Sequence, residues 1–493
     1  MIPWNKPAPA DVNRQDPENV FAAGTRNHHI SNTAYPIAHN VTWKPYRVDR
    51  NANASLVESA FADAETISLY SHIPFCETRC YFCEYTVVGK KELDAASDYM
   101  KLLSRELAMF RSLLGERSLS GFDIGGGTPS FVNAPLMAEH VDEVRKAFRT
   151  APGFAISIET TPRIASTEPE KMKAYADMGI ERISMGIQVV QPDLLKHLGR
   201  SENGLDHHRK ACDHIRGAGF KKFNIDLMYG FAKQSDQSWE ATLRHAIALE
   251  PDYITLYRMR YKLTRISAEA ADVTLEPVLR QAKLASEMLR SAGYIANPGK
   301  NTYSRIPKDT GTSAYLTRRV IEGSTYLGLG LGAQTFTDTT ISYNDGAASK
   351  SIAPYAKSIA EGRLPIQDLY HLPLEHMMAK MIAVSFYFGE IRADAFEKKF
   401  KVSLEEAFPR EIEFALKEGL MHWSISENGQ EIPGSSDRRA LSLTPHGARN
   451  FNGTIALFFA PSVQSYLIHR QSQADMHRHA ASAQLVADKN DAA

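Results

Sequence analysis

The chain has 493 residues, with Lys+Arg and Asp+Glu equal at 57 each, so no charge excess favours nucleic acid or an anionic surface as a partner. The N-terminus, Met1-Ile2-Pro3-Trp4-Asn5-Lys6-Pro7, lacks the apolar core of a signal peptide, no apolar run reaches the length of a membrane helix, and four cysteines without a pairing pattern suit a reducing compartment. A chain of this length is expected to fold as two units plus tails, as a monomer in the cytoplasm, and shows no solenoid repeat.

Residues 1–65 are rich in Pro, Asn and Ala, with Tyr35-Pro36 and Trp43-Lys44-Pro45-Tyr46 as aromatic anchors. They are expected to form an arm over the domain that follows. Thr66-Ile67-Ser68-Leu69-Tyr70-Ser71-His72 alternates and is β-rich, so it reads as a strand that Pro74 stops. On the loop that leaves it, Cys76-Glu77-Thr78-Arg79-Cys80-Tyr81-Phe82-Cys83 gathers three of the four cysteines within eight positions. A disulfide framework needs pairs, and a structural zinc site needs four ligands. The remaining thiol, Cys212, lies in a helical-looking segment and reads as buried and inert. Three thiolates on one loop suit an iron–sulfur cube with one iron left open, with zinc completed by a histidine as the alternative.

Downstream, Asp94 is placed to cap a helix running to about Leu114, with Tyr99, Leu102, Leu103, Leu107 and Leu114 on its apolar side. Phe122-Asp123-Ile124 reads as a strand leading into Gly125-Gly126-Gly127-Thr128-Pro129-Ser130, where glycines let a backbone approach a ligand and expose N–H groups. A helix over 134–149 precedes a strand at 154–159 that ends in Glu159. A helix over 168–178 precedes a strand at 182–188 that ends in Gln188, with Leu198-Gly199-Arg200 shortly after. The strand at 222–227 carries Asp226, and a helix over 236–249 leads to a strand at 252–257 with Arg258, Met259 and Arg260 at its mouth. A helix over 276–293 ends the series. Strands alternating with helices predict a parallel α/β unit, and six such units make a partial (β/α)6 TIM-like barrel over 66–300, with functional side chains at strand C-terminal ends.

Tyr326-Leu327-Gly328-Leu329-Gly330-Leu331-Gly332-Ala333-Gln334 predicts a glycine-rich strand on the barrel edge within a closing segment, 301–364. A C-terminal, mostly helical domain is expected over 365–470, holding the apolar helix Leu374–Val384 and the turn Leu441-Ser442-Leu443-Thr444-Pro445-His446-Gly447. Residues 471–493 are expected to be a disordered polar tail, His477 and His479 included.

The cysteine spacing, with Tyr70-x-His72-Ile73-Pro74-Phe75 before it and Phe82 before the last cysteine, resembles the radical S-adenosylmethionine (SAM) superfamily, in the group typified by oxygen-independent coproporphyrinogen III oxidase. The resemblance implies that Cys76, Cys80 and Cys83 hold a 4Fe–4S cluster whose fourth iron is chelated by SAM. It further implies that Tyr70, Phe82, Gly125, Gly126, Gly127, Thr128, Glu159, Gln188, Arg200, Asp226 and Arg260 surround SAM. Tyr70, Glu159, Tyr85 and Gln334 are the candidates for the reaction itself. The implied chemistry is one-electron cleavage of SAM to a 5′-deoxyadenosyl radical, with flavodoxin or ferredoxin as reductant and a small-molecule substrate.

Two departures bear on the reaction. Coproporphyrinogen oxidases of the family carry a further Cys two residues after the third cluster Cys, where this chain has Tyr85. They also carry a Phe-Gln pair where this chain has Tyr315-Leu316. Both departures count against propionate decarboxylation, and Tyr85, the chain length and the retained C-terminal domain fit the methyltransferase-like branch, which binds a second SAM for C-methylation or cyclopropanation of an unsaturated, aromatic or porphyrin-type substrate. Propionate decarboxylation and heme carriage, the latter with His207-His208 or His376-Met377-Met378 as axial candidates, are the alternatives.

Overall fold

The computed structural model describes residues 2–27, 35–49, 53–88, 94–261, 264–427, 430–431 and 439–470. The expected tail, with His477 and His479, lies outside the described residues. Six strands run parallel, each hydrogen-bonded to the next: Thr66–Ile73, Ser118–Gly126, Ile156–Thr160, Ile180–Gln188, Lys222–Tyr229 and Tyr253–Arg258. Helices between them include Ala96–Leu114, Ala134–Ala147, Pro169–Asp177, Leu205–Ala218 and Asp236–Ala248, and Leu275–Ser291 follows the last strand. This is the partial barrel that the alternating pattern predicts.

Local chemistry accounts for most of the boundaries. Asn133 accepts from the Leu136 N–H and Ser235 from the Ser238 N–H, so two helices start on capping side chains. The helix Leu205–Ala218 stops at Gly219, whose φ of +91° favours glycine. Asp94 does not cap its helix: Ala95 occupies the capping position, and no side chain bonds there. That helix instead buries a carboxylate, Glu106, among its apolar residues.

The first strand is central in the sheet. Tyr326–Leu329 pairs parallel with its other side, so all its residues after Thr66 are covered, Tyr70 only half-buried. The glycine-rich stretch is therefore a strand, a turn and a second strand. It turns through Gly330 and Gly332, both at positive φ, and returns antiparallel as Gln334–Phe336. Thr340–Asn344 and Ile366–His371 extend the same sheet, so the closing segment runs past residue 364.

Beyond it the C-terminal unit is a mixture of helix and sheet. Glu390–Arg392, Arg439–Leu443, Met421–Glu427 and Gln430–Glu431 form a four-stranded antiparallel sheet beside the helices Leu374–Ser385, Ala393–Phe400 and Pro409–Lys417. The stretch read as a turn at Leu441-Ser442-Leu443 is one of its strands. Only Thr444 onward turns, with the Thr444 hydroxyl accepting from the Gly447 N–H at 3.0 Å.

The arm also departs from expectation. Its first part packs mainly on the C-terminal unit, while Val57 and Phe61 of its last part join the barrel core. Val20 and Ala23 of the helix Pro17–Arg26 share a core with Ile455 and Ala456, and a Cβ on Gly24 would lie 2.5 Å from the Asn452 carbonyl oxygen. The aromatic anchors converge on His376, whose Nδ1 lies 2.8 Å from both the Tyr35 hydroxyl and Trp43 Nε1. The physical reason is the helix Leu374–Ser385, which is buried from His376 to Ser385 and needs cover on every face. Among the described residues no helix is long and apolar enough to cross a membrane.

Candidate active site

Strand pairing puts an unusually polar set on one face of the sheet. Tyr70 pairs with Asp123, Asp123 with Ser157, Glu159 with Ser184, Gly186 with Asp226, and Asp226 with Thr255. These residues alternate with apolar ones such as Ile158, Ile183 and Leu227, which are buried outside against the helices. The inner set is hydrogen-bonded across strands: Ser184 Oγ donates to Asp226 Oδ2 at 3.0 Å, and Asn224 Nδ2 donates to Asp226 Oδ1 at 2.8 Å. Thr255 Oγ1 donates to Asn224 Oδ1 at 2.8 Å. A polar lumen of this kind costs desolvation, and the network offsets it.

At the strand C-terminal ends the lumen opens into a cavity of about 200 Å³. Cys76, Cys80, Cys83, Phe82, Tyr85, Gly126, Gly127, Thr128, Glu159, Gln188, Arg200, Asp226 and Arg260 all line it. Thr128 Oγ1 donates to Cys76 Sγ at 3.4 Å, and Arg200 Nη1 to Cys80 Sγ at 3.1 Å. Burial pushes the Cys76 thiol up to about 12 and the Cys83 thiol up to about 11, so a bound cation is needed to hold them as thiolates. The fourth cysteine, Cys212, is buried in the helix Leu205–Ala218, away from this wall. Among the described residues no three His, Cys, Asp or Glu side chains gather closely enough to hold a single metal ion. The loop thiols share a wall without converging on one point.

The glycine loop is pinned under the cysteine loop. Gly127 N donates to Ile73 O at 2.8 Å and Thr128 N to Phe75 O at 2.7 Å. A Cβ on Gly127 would stand 2.6 Å from Phe75 O and 3.0 Å from Cys76 Sγ, so only glycine permits this approach. Glu159 accepts from Gly126 N at 3.3 Å. Its carboxylate is exposed to the cavity yet enclosed by barrel walls, and that enclosure, with Asp226 nearby, pushes it up to about 7. Gln188 takes φ +69°, a strained value for a side-chain-bearing residue, and its Oε1 is buried without a partner. Arg200 donates to Gly186 O while its Nε is likewise unpartnered.

Other expected residues sit differently. Arg260 lines the cavity but is ion-paired to Glu84. Tyr70, Gly125 and Gln334 are not on the cavity wall. Tyr70 lies one layer behind, where its hydroxyl is 3.1 Å from His72 Nδ1, and a Cβ on Gly125 would touch both Tyr70 and Glu159 at 3.2 Å. Gln334 is occupied by two phenols: it accepts from Tyr326 and donates to the Tyr343 hydroxyl at 2.8 Å. The heme-ligand candidates are occupied too. His208 is buried against His245 at 2.9 Å, and His376 belongs to the arm contact. Sequence reasoning missed Tyr257, Met228 and Asn203 on the wall and the Arg163–Glu77 pair beside it. Tyr257 is the last residue but one of the sixth strand, so the strand-end rule applied one residue earlier than Arg258 would have found it.

A radical SAM superfamily model matches residues 70–246. The oxygen-independent coproporphyrinogen III oxidase of Paracoccus denitrificans is 30% identical over 360 residues, covering 69% of this chain and 76% of that protein. The chain belongs to the radical SAM superfamily, in its coproporphyrinogen III oxidase-like family. The heme chaperone HemW of Haemophilus influenzae is 34% identical over 197 residues, and there the chain spans about half of that protein, 51%. Coproporphyrinogen III oxidase (HemN) of Escherichia coli has the same fold, with a TM-score of 0.69 at 22% identity, covering 87% of this chain and 96% of that one.

The cofactors of a radical SAM protein are a 4Fe–4S cluster and SAM, and the residues here fit both. Cys76, Cys80 and Cys83 would hold the cluster. The Gly126-Gly127-Thr128 cradle and the Glu159 carboxylate would take the SAM amino group. Gln188 and Arg200, which line the same space, each keep a buried polar atom without a partner.

Proposed function

We propose that the protein is an oxygen-independent oxidase of a porphyrinogen, removing a propionate carboxyl group as CO2. One observation carries this reading: the Paracoccus oxidase matches 69% of this chain, well beyond the 70–246 stretch common to radical SAM proteins. Relatives of this kind favour the oxidase and heme-chaperone readings over methyl transfer, to which Tyr85 pointed. When bound, the reduced cluster and SAM supply a 5′-deoxyadenosyl radical, with flavodoxin or ferredoxin as the electron source. The chain's part is to hold the SAM ammonium against Glu159 and its carboxylate toward Arg200. Phe82, Val87 and Met228 shield the reacting carbon from water.

Anaerobic incubation with coproporphyrinogen III, SAM carrying a labelled methyl group, and a reductant tests the reading. CO2 release matched to 5′-deoxyadenosine, with no label in the porphyrin product, is expected. Label in the product without CO2 would replace the reading by methyl transfer.

A further inference from the structure

Behind Tyr70 the inward face of the sheet continues into a layer of aromatic side chains with one cation at its centre. Tyr70 pairs with Gly328, and Tyr326 stands two residues earlier on the same strand, so both phenols share the inner face. The helix Ala314–Ile321 lies against the first two strands there, so close that a Cβ on Gly121 would stand 2.3 Å from Tyr315 N. Ser313 fixes the helix by capping Leu316 N at 3.1 Å and donating to Asp123 Oδ2 at 2.6 Å. The rings of Tyr70 and Tyr315 are 6.1 Å apart, and those of Tyr315 and Tyr326 are 5.6 Å apart.

Arg319 of that helix projects into this layer. Its guanidinium carbon is 4.8 Å from the Tyr326 ring centroid and 5.9 Å from that of Tyr315. Among the described residues its only hydrogen bond is a long one, Nη1 to the Tyr315 hydroxyl at 3.4 Å, and its Nε is buried without a partner. Among the described residues no carboxylate pairs with it. Asp123 is within electrostatic reach: Ser313 takes its Oδ2, its Oδ1 is buried without a partner, and although burial pushes its carboxyl up to about 6 it carries charge at neutral pH, so it offsets part of the Arg319 charge without pairing with it directly. Burial also pushes the Tyr315 and Tyr326 phenols upward, so neither supplies a counter-charge. On the other side Lys380 donates to Tyr35 O at 3.0 Å, and burial, with the Arg319 charge nearby, pushes its ammonium down to about 7.

A partly enclosed guanidinium with no direct carboxylate partner is favoured by an anion that reaches its fork. Arg319 and Tyr70 are only half-buried, so each keeps surface that a ligand can touch. We propose that Arg319 receives a carboxylate of the substrate, the planar fork binding the acid while the half-buried Tyr70 ring lies against the pyrrole that bears it, with Tyr315 and Tyr326 packed behind as the wall. This deepens the proposed function, on which the identity of the acid as a propionate rests. A carboxylate from a further SAM molecule is the other source of the same chemistry.

Ligand binding to the cluster-loaded protein separates these. The probes are coproporphyrin III, its tetramethyl ester, 3-phenylpropionate and SAM, each measured with wild type, Arg319→Gln and Arg319→Lys, with iron content and unfolding temperature checked for each variant. Arg319→Gln is expected to weaken coproporphyrin III and 3-phenylpropionate at least tenfold, with SAM unaffected. Arg319→Lys should recover part of the loss, and the tetramethyl ester should bind wild type as poorly as the free acid binds Arg319→Gln. Equal binding of both acids by wild type and Arg319→Gln would overturn the proposal, as would a loss confined to SAM. If wild type binds no coproporphyrin III but still binds 3-phenylpropionate through Arg319, the carboxylate site stands and the porphyrinogen reading falls.

Discussion

Two buried polar clusters in this molecule are built in opposite ways. At the contact between arm and C-terminal unit, His376 is wholly enclosed and nearly every polar atom is answered. Nδ1 faces Tyr35 and Trp43, while Nε2 lies 3.0 Å from Asp11 Oδ2 and 3.4 Å from Ser462 Oγ. Asp11 also accepts from the Tyr46 hydroxyl at 2.6 Å and from Ser462 N at 2.9 Å. Although its burial works the other way, His376 and these donors bring its carboxyl down to about 2. At the barrel mouth, by contrast, Cys76, Cys83 and Glu159 are pushed up, and Gln188 and Arg200 keep unanswered atoms. A satisfied cluster holds two segments together. An unsatisfied one waits for a ligand to complete it.

The largest test of that contrast is at the cysteines. Cys76→Ala is expected to bring the iron content and the charge-transfer absorbance of anaerobically reconstituted protein to background while the unfolding transition survives. Full iron loading of this variant would remove Cys76 from the ligand set. Next come Glu159→Gln and Arg200→Ala, each removing a charged group proposed to meet SAM. Each should weaken SAM binding about ten- to a hundredfold in calorimetry. With the Glu159 carboxyl held near 7, its ionised form gains as pH rises. The affinity of wild type for the SAM ammonium should therefore increase through pH 7 and level off above it, and Glu159→Gln should flatten the profile.

The other cluster should answer in the opposite currency. Asp11→Asn is expected to lower stability by about 3 kcal/mol with SAM affinity unchanged, as loss of one partner from a buried pair does. The sign with pH follows from the depressed Asp11 carboxyl: its contribution is complete above the unfolded value near 3.8 and is lost as pH falls toward about 2. The shift corresponds to about 2 kcal/mol. Denaturant melts between pH 5 and 2 would show the loss in wild type and its absence in Asp11→Asn. A fall in SAM affinity in that variant would mean that the two clusters are coupled.

These two regions were also unequally legible in the sequence. The barrel mouth could be read because its groups lie at strand ends, where alternation and spacing fix their placement, and the cysteines, Glu159, Gln188, Arg200 and Asp226 do line one cavity. The arm contact could not. Asp11 and His376 are 365 positions apart, and nothing local marks either as a partner of the other. Glu106 makes the same point inside the barrel. It lies on the buried stripe of its helix with Tyr99, Leu103 and Phe110, and it accepts from Gly330 N at 2.7 Å, Tyr355 at 2.6 Å and Asn344 at 2.6 Å. Those partners are fixed by tertiary packing alone, and so was the split of the glycine-rich stretch into two strands.

The smallest expected effect falls on the thiol that belongs to neither cluster. Cys212 is buried with Ala211 and Ile215 on the inner side of its helix, and burial raises its pKa to about 11, which keeps it protonated and poorly suited to bind metal. Cys212→Ala removes one sulfur from packed surroundings and should cost about 1 kcal/mol in denaturant melts. Iron loading and SAM affinity should stay at wild-type values, because the cavity wall takes its three thiols from the loop alone. Loss of iron in Cys212→Ala would mean that the helix reaches the cluster after all. The division between a site that awaits its ligand and a frame already satisfied would then fail at this residue.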